Sequence, residues 1–203
     1  MKLLLATRNR DKLTELGAIL GDLPLELVSL RDVGEVPEVE EDGDTFEENA
    51  LKKARVAHEA TGLATCADDS GLEVDFLHGG PGVWSARYAG PGGDYEANNR
   101  KLLEELLGVS EARRGARFVC AAALVGAAPA PLLFRGEIHG RILTELRGEN
   151  GFGYDPLFLV PDEGKTFAEM PREHKNAISH RAVAFRHVHL ALKQILDAGT
   201  PPP

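Results

Sequence analysis

Residues 64 to 75 read ATCADDSGLEVD, placing Asp68 and Asp69 side by side after a run of small apolar residues. Adjacent carboxylates repel unless a cation or a proton-transfer task holds them together. Upstream, Glu40 and Glu41 form a second acidic pair. Hard cations such as Mg2+ take carboxylate oxygens and keep several waters while bridging substrate phosphates, so one or two protein carboxylates suffice. On this reading Asp69 holds the metal or takes a proton from an attacking water, while Asp68 stays charged toward the cation or solvent. Asp-Ser-Gly also suits a tight turn, so on this segment alone both readings stay open.

Three more polar clusters fall at loops beside predicted strand ends, where α/β folds place ligands. Thr7, Asn9 and Lys12 lie in TRNRDK, at the start of the first predicted helix. Backbone N–H groups at a helix N-terminus together with a lysine make an anion site, although the same residues also serve as ordinary caps. The stretch GFGYD offers Phe152 as a flat surface on which a base could stack, glycines that allow close approach, and Asp155 as an acceptor. A glycine bend with core aromatics is the alternative. HKNAISHR carries Lys175, then His180 and Arg181 at the start of the last helix. Cations there oppose the helix dipole, so the placement calls for an anion or acceptor nearby.

The elements that must position these clusters follow from periodicity and punctuation. Lys2 to Ala6 reads as a buried strand, and the helix after it shows Leu13, Leu16, Ile19 and Leu20 on one face before Gly21. Leu25 to Ser29 is a second strand. Thr45 and Glu48 form a T-x-x-E capping box that starts a helix running toward Gly62. A strand, an Asp-Asp-Ser-Gly turn and another strand come next. Residues 78 to 94 hold too many glycines and prolines for regular structure and read as a long ordered loop. Asp94 caps a helix with Leu102, Leu103 and Leu106 facing the core, ending at Gly108. Arg117 to Val125 and Leu132 to Ile138 form a predicted hairpin, followed by a strand near Ile142 and another over Leu157 to Val160. One helical turn is expected at Phe167 to Met170. The last helix begins near Ser179, with Phe185, Val188, Leu192 and Ile195 at helical spacing, and TPPP is a frayed tail. The prediction is an α/β protein built on a mixed, twisted β-sheet with flanking helices, a single domain over residues 1 to 199.

Composition bounds the function. The 203 residues, 43% hydrophobic and 27% charged, describe an ordinary globular chain. The longest apolar region, Ala121 to Phe134, is interrupted by Gly126, Pro129 and Pro131 and cannot span a bilayer. The net charge of -9 argues against a general nucleic-acid binder while leaving room for a small anionic substrate met by local lysines and arginines. Cys66 and Cys120 lack metal or disulfide spacing, which points to buried inert thiols and a cytoplasmic location.

ATRNRDK, TFEENALKKA, ADDSGLEVD, SARYAG, GFGYDPLF and HKNAISHR occur together in one order over nearly the whole chain. In that order and approximate spacing they resemble the inosine/xanthosine triphosphate pyrophosphatases, which remove non-standard purine nucleotides. The resemblance implies Mg2+-dependent hydrolysis of ITP, dITP and XTP to the monophosphate and pyrophosphate. It implies a two-lobed protomer with the site in a central cleft, usually a homodimer. It assigns Thr7, Arg8, Asn9, Arg10, Asp11, Lys12, Lys53 and Lys175 to the phosphates, and Glu41 and Asp69 to the metal, with Glu40 and Asp68 as the neighbouring alternatives. Asp69 becomes the proton acceptor with Ser70 beside the substrate, and Phe152, Gly153, Tyr154 and Asp155 hold the base together with His180 and Arg181. Two rivals stand against it. A phosphatase forming an aspartyl-phosphate also uses paired aspartates, although in D-x-D rather than D-D spacing, and a nucleotide sensor would bind without turnover.

Overall fold

The computed structural model describes residues 1–199, apart from the side chain of Asp11. The predicted TPPP tail lies outside the described residues. Among the described residues seven strands are hydrogen-bonded in the order β2-β1-β3-β4-β5-β6-β7, where β1 is Lys2–Leu5, β2 Glu26–Ser29, β3 Ala64–Val74, β4 Gly115–Val125, β5 Leu132–Ile142, β6 Phe158–Val160 and β7 Lys165–Thr166. The helices are α1 Arg10–Leu20, α2 Phe46–Thr61, α3 Tyr95–Glu105, α4 Arg172–Ile178 and α5 His180–Asp197. β1 pairs parallel with β2 and β3, whereas β6 pairs antiparallel with β5 and β7, so the sheet is mixed. Among the described residues no helix is long and apolar enough to cross a membrane.

The chain divides into two compact units. The first comprises Met1–Asp69, Cys120–Gly136 and the chain from Arg181. Its strands alternate faces, as the two-residue period of extended chain requires. Leu3, Leu5 and Cys66 point to one side and pack with Leu16 and Leu20 of α1 and Phe185, Val188 and Leu192 of α5. Leu4 points to the other side, against Val36 and Ala57 of α2. The register Leu5↔Cys66 fixes which residues further along β3 reach each face. α2 starts where its capping box predicts, with Thr45 Oγ1 accepting from Glu48 N at 3.2 Å and Glu48 Oε2 accepting from Thr45 N at 3.2 Å. It ends at Gly62, whose φ of 69° lies in the left-handed region that glycine enters without steric cost.

The second unit, Ser70–Val119 with Glu137–His180, carries its own core of Leu72, Val74, Phe118, Ile142 and Phe158 packed on Leu102 of α3 and on Leu106, which follows that helix. Asp94 caps α3 by accepting from Glu96 N and Ala97 N. Within this unit Arg114 is buried, and its guanidinium donates to the carbonyls of Leu106, Ile142 and Leu143 at 2.7 to 2.8 Å. Those bonds tie the segment after α3 to the end of β5.

Three expectations need correction. The Asp-Asp-Ser-Gly turn does not form: β3 is one unbroken strand through Asp68, Asp69, Ser70 and Gly71. No turn is needed, because neighbouring side chains on a strand point to opposite faces and the two charges find separate partners. The strand expected near Ile142 is the end of β5, which runs through Gly136 and Gly140 without a break. The 78 to 94 loop is partly regular, with a 3-10 segment at Gly82–Arg87. The sequence reading also passed over α4 and β7, both short. The expected turn after Thr166 is present as a 3-10 segment, Phe167–Glu169, with its own Thr166–Glu169 capping box.

Candidate active site

Asp68 and Asp69 diverge. Asp68 projects to the α1 and α5 side, where its Oδ2 lies 2.8 Å from Lys12 Nζ and 3.4 Å from Arg181 Nε. Asp69 projects to the α2 side, where Asn49 Nδ2 donates to its Oδ2 at 3.1 Å and Lys53 Nζ lies 3.6 Å from its Oδ1. Lys53 Nζ also donates to Glu41 Oε1 at 2.6 Å. The strand therefore solves the repulsion of its tandem aspartates by giving each a cation on its own face.

The local sequence explains the α2 side. Asn49 and Lys53 are one turn apart on α2 and share a face. Phe46, Ala50, Ala54 and Ala57 anchor that stripe in the core, and the small alanines bring the helix close to the sheet. Asn49 Oδ1 accepts from Gly43 N at 2.8 Å, which ties the acidic loop down so that Glu41 arrives beside Lys53. A Cβ on Gly43 would come within 2.8 Å of that amide oxygen, so this close approach requires glycine. Glu40 is exposed, and its backbone carbonyl accepts from Lys52 Nζ at 2.9 Å.

These surroundings set opposite protonation tendencies on adjacent residues. Burial pushes Asp68 up, but Lys12, Arg181 and Lys53 together outweigh it and hold the carboxyl well below the usual aspartate range. Burial also pushes Asp69 up and is reinforced by Glu41; Lys53, Lys12 and Asn49 oppose without winning, so Asp69 stays above its ordinary value. Burial lowers Lys53, but Asp69, Glu41 and Asp68 reverse the effect and keep it protonated.

The α1 side holds a buried chain of charges. Arg181, 2% exposed, donates through Nη1 to Glu15 Oε2 at 2.6 Å and reaches Asp68 with Nε. The predicted penalty for a cation at a helix N-terminus is thus met by two carboxylates. Glu15 was missed by the sequence reading; its position one turn after Lys12 on the buried side of α1 was the available signal. Asn9 caps α1 by accepting from Lys12 N at 3.3 Å, and Thr7 Oγ1 accepts from Asn9 N at 3.2 Å. Arg8 and Arg10 are exposed, with the Arg8 carbonyl accepting from Arg31 Nη2. The Asp11 side chain lies outside the described residues.

In the second unit, Asp155 folds the GFGYD turn onto itself: its Oδ2 accepts from Phe152 N at 2.8 Å and from Lys175 Nζ at 2.6 Å. Gly151, at φ 77°, leaves room that a Cβ would close, since that atom would fall 2.0 Å from Asp155 Oδ2. Lys175, 5% exposed, also sits 4.5 Å from the Phe152 ring centroid. Tyr95 of α3 faces the same ring at 6.2 Å. Tyr154 is buried, its hydroxyl donating to Ser85 O at 2.8 Å, and Asn99 Nδ2 donates to Gly153 O at 2.9 Å. His180 stacks on Phe118 at 4.8 Å. Ser70 follows Asp69 directly along β3.

Among the described residues no three His, Cys, Asp or Glu side chains are grouped as a metal held by protein alone would need. Glu41 and Asp69 are a pair of hard oxygen donors already converging on one cation, Lys53. That set fits Mg2+, which takes one or two carboxylates and completes its shell with water and substrate phosphate.

Residues 3–190 match the model of the Ham1 family. The chain is 55% identical to the dITP/XTP pyrophosphatase of Geobacter sulfurreducens, across 96% of this chain and 98% of that one. It is 53% identical to the dITP/XTP pyrophosphatase of an Exiguobacterium species, across 92% and 94% of the two chains. Among solved structures, a HAM1 protein from Coxiella burnetii superposes with a TM-score of 0.88 at 42% identity, covering 96% of this chain and 99% of that chain. A nucleoside-triphosphatase / dITP/XTP pyrophosphatase from Mycobacterium abscessus gives a TM-score of 0.78 at 48% identity, covering 93% and 98%.

Proposed function

The chain belongs to the Ham1 family, and from that premise we propose that it is a nucleoside triphosphate pyrophosphohydrolase that converts dITP, ITP and XTP to the monophosphate and pyrophosphate. The observation that carries the mechanism is the convergence of Glu41 and Asp69 on Lys53.

Water attacking the α-phosphorus must lose a proton while negative charge gathers on the nonbridging oxygens and the departing pyrophosphate. Asp69 is the proton acceptor. In the metal-free protein burial and Glu41 push its carboxyl above the ordinary aspartate value, and Asn49 fixes the carboxylate by donating to one oxygen. Lys12 and Lys53 supply positive charge for the phosphates, beside the N-terminus of α1 that the Thr7 and Asn9 turn shapes. Glu41 and Asp69 would hold Mg2+, which when bound neutralises phosphate charge. Arg181 anchors Asp68 and, through it, Lys12.

Phe152 offers the stacking surface for the base, braced by Lys175 and Asp155. Hypoxanthine and xanthine carry an acceptor oxygen at carbon 6 where adenine carries an amine. Donors aimed there satisfy the oxygen and meet the amine unpaired, at a cost of ~1 to 3 kcal/mol or roughly 5- to 150-fold per contact. The family resemblance supports a homodimer, and the buried thiols Cys66 and Cys120 support a reducing compartment such as the cytoplasm.

Incubation of the purified protein with Mg2+ and ITP tests the reading. IMP and pyrophosphate are expected. IDP with phosphate would favour an aspartyl-phosphate phosphatase, and nucleotide binding without products would favour a sensor; either contradicts the proposal.

A further inference from the structure

Two adjacent asparagines on α3, Asn98 and Asn99, are 3% and 6% exposed. Buried amides on a surface helix need a reason, since each must find partners for a donor and an acceptor group. Asn98 satisfies both: it accepts from Ala89 N at 2.7 Å and donates to the carbonyls of Ser85 and Ala86. Asn99 does not. Its Nδ2 donates to Gly153 O at 2.9 Å, while its Oδ1 is buried with no hydrogen-bond partner among the described residues. The orientation of the amide is fixed, because only the NH2 end can serve a carbonyl. The side-chain amide thus makes its one hydrogen bond among the described residues to the GFGYD turn.

Gly153 is where such a bond has leverage. It stands at φ 64°, with no heavy atom within 4 Å of where a Cβ would lie. A glycine with that freedom permits the peptide that follows it to rotate between orientations at little steric cost. Asn99 removes the freedom by holding the carbonyl. In a planar trans peptide the carbonyl and the next N–H point in opposite directions, so fixing Gly153 O also fixes the Tyr154 N–H on the face away from Asn99. Tyr95 lies one turn before Asn99 on the same face of α3 and contacts the Phe152 ring, so one stripe of this helix supports both the stacking surface and the peptide beside it.

Resting on the base-site reading of Phe152 to Asp155 above, we propose that Asn99 is a positioning residue for base selection. It holds the Gly153–Tyr154 peptide so that the Tyr154 N–H is presented as a donor to the oxygen at carbon 6 of the base. An oxygen accepts from that N–H; the amine of adenine opposes it.

Asn99→Ala and Asn99→Asp both remove the donor to Gly153 O, the second with almost no change in shape. In each, IMP affinity measured by calorimetry should fall roughly 3- to 10-fold, the range one net hydrogen bond supports. The ITP-over-ATP ratio of kcat/KM should narrow by a similar factor, and pyrophosphate affinity should stay within about twofold of the parent protein. Unchanged IMP affinity and base preference in the folded variants would overturn the inference. So would a parallel loss of IMP and pyrophosphate affinity accompanied by lower melting temperature, which marks a structural role. Phe152→Ala, run beside them, separates the two levels: if it leaves IMP affinity intact, the base-site reading fails; if it weakens IMP while both Asn99 variants do not, only the role of Asn99 fails.

Discussion

Glu41 and Asp69 meet across a single ammonium group, with Lys53 Nζ at 2.6 Å from Glu41 Oε1 and 3.6 Å from Asp69 Oδ1. One carboxylate comes from an irregular loop and the other from the middle of β3, so their convergence is a product of the fold. Asn49, which accepts from Gly43 N and donates to Asp69, sets its geometry.

Lys53 acts as the resident cation of this pair. Lys53→Met should lower stability by about 1 to 3 kcal/mol in a chelator, because two partly buried carboxylates lose their shared donor. Added Mg2+ should then raise the melting temperature of the variant more than that of the parent. Thermal scans with and without Mg2+ check this; equal Mg2+ shifts in the two proteins would count against a metal at Glu41 and Asp69.

Arg181 is locked between Glu15 and Asp68. Arg181→Ala should cost about 3 to 5 kcal/mol, since it strands two buried carboxylates. The double variant with Glu15→Ala should recover part of that loss. Urea unfolding of the four proteins of the cycle measures the coupling, and strict additivity would contradict a direct pair.

The two aspartates should titrate in opposite directions from the ordinary value of 3.8 in metal-free protein, Asp69 above it and Asp68 below it. The signs for stability differ accordingly. Asp68, depressed in the fold, contributes stability that is present above pH 3.8 and is lost as pH falls through its lower folded value. Asp69, raised in the fold, costs stability when ionised, and that cost is relieved as pH falls through its folded value. Carboxyl carbon NMR titration resolves both; the reverse order would refute the assignment of cations to faces.

Gly151→Ala should disrupt the Asp155 turn, because the new methyl would fall 2.0 Å from Asp155 Oδ2 at a backbone φ of 77°. KM for ITP should rise roughly tenfold or more, as expected for loss of ~1.5 kcal/mol or more of base contact. Pyrophosphate affinity should hold. An unchanged KM would show that the turn does not carry the base.

Much of this was legible because helix periodicity and caps are local. The Thr45–Glu48 box, the Asp94 cap and the apolar face of α1 depend on residues within one or two turns of each other. Lys12, Asp69 and the Glu40–Glu41 pair stood out as polar clusters at loops, whereas Lys53 was named only through the resemblance that the ordered motifs carry. What was not legible was which face each residue serves. Asp68 and Asp69 looked like a turn because Asp-Ser-Gly is locally turn-like, whereas in the fold β3 runs unbroken from Ala64 to Val74 and its alternation puts the two side chains on opposite faces. Asn49 and Asn99 are helical polar residues with no local signature, and Glu15 had only its place on the buried side of α1; their partners Asp69, Gly153 and Arg181 lie 20, 54 and 166 positions away. Arg181 stands between Glu15 and Asp68, two carboxylates that its place at the start of the last helix did not reveal.

The most direct test of the account is pyrophosphate release from ITP by Asp69→Asn in saturating Mg2+, with folding verified by its melting curve. The amide preserves size and can still accept from Asn49, but it cannot take the proton. Release at least 100-fold slower than in the parent protein is expected, given that general-base contributions run from about 10²- to 10⁴-fold. Parental turnover in the folded variant would contradict Asp69 as the proton acceptor and, with it, the mechanism built on β3.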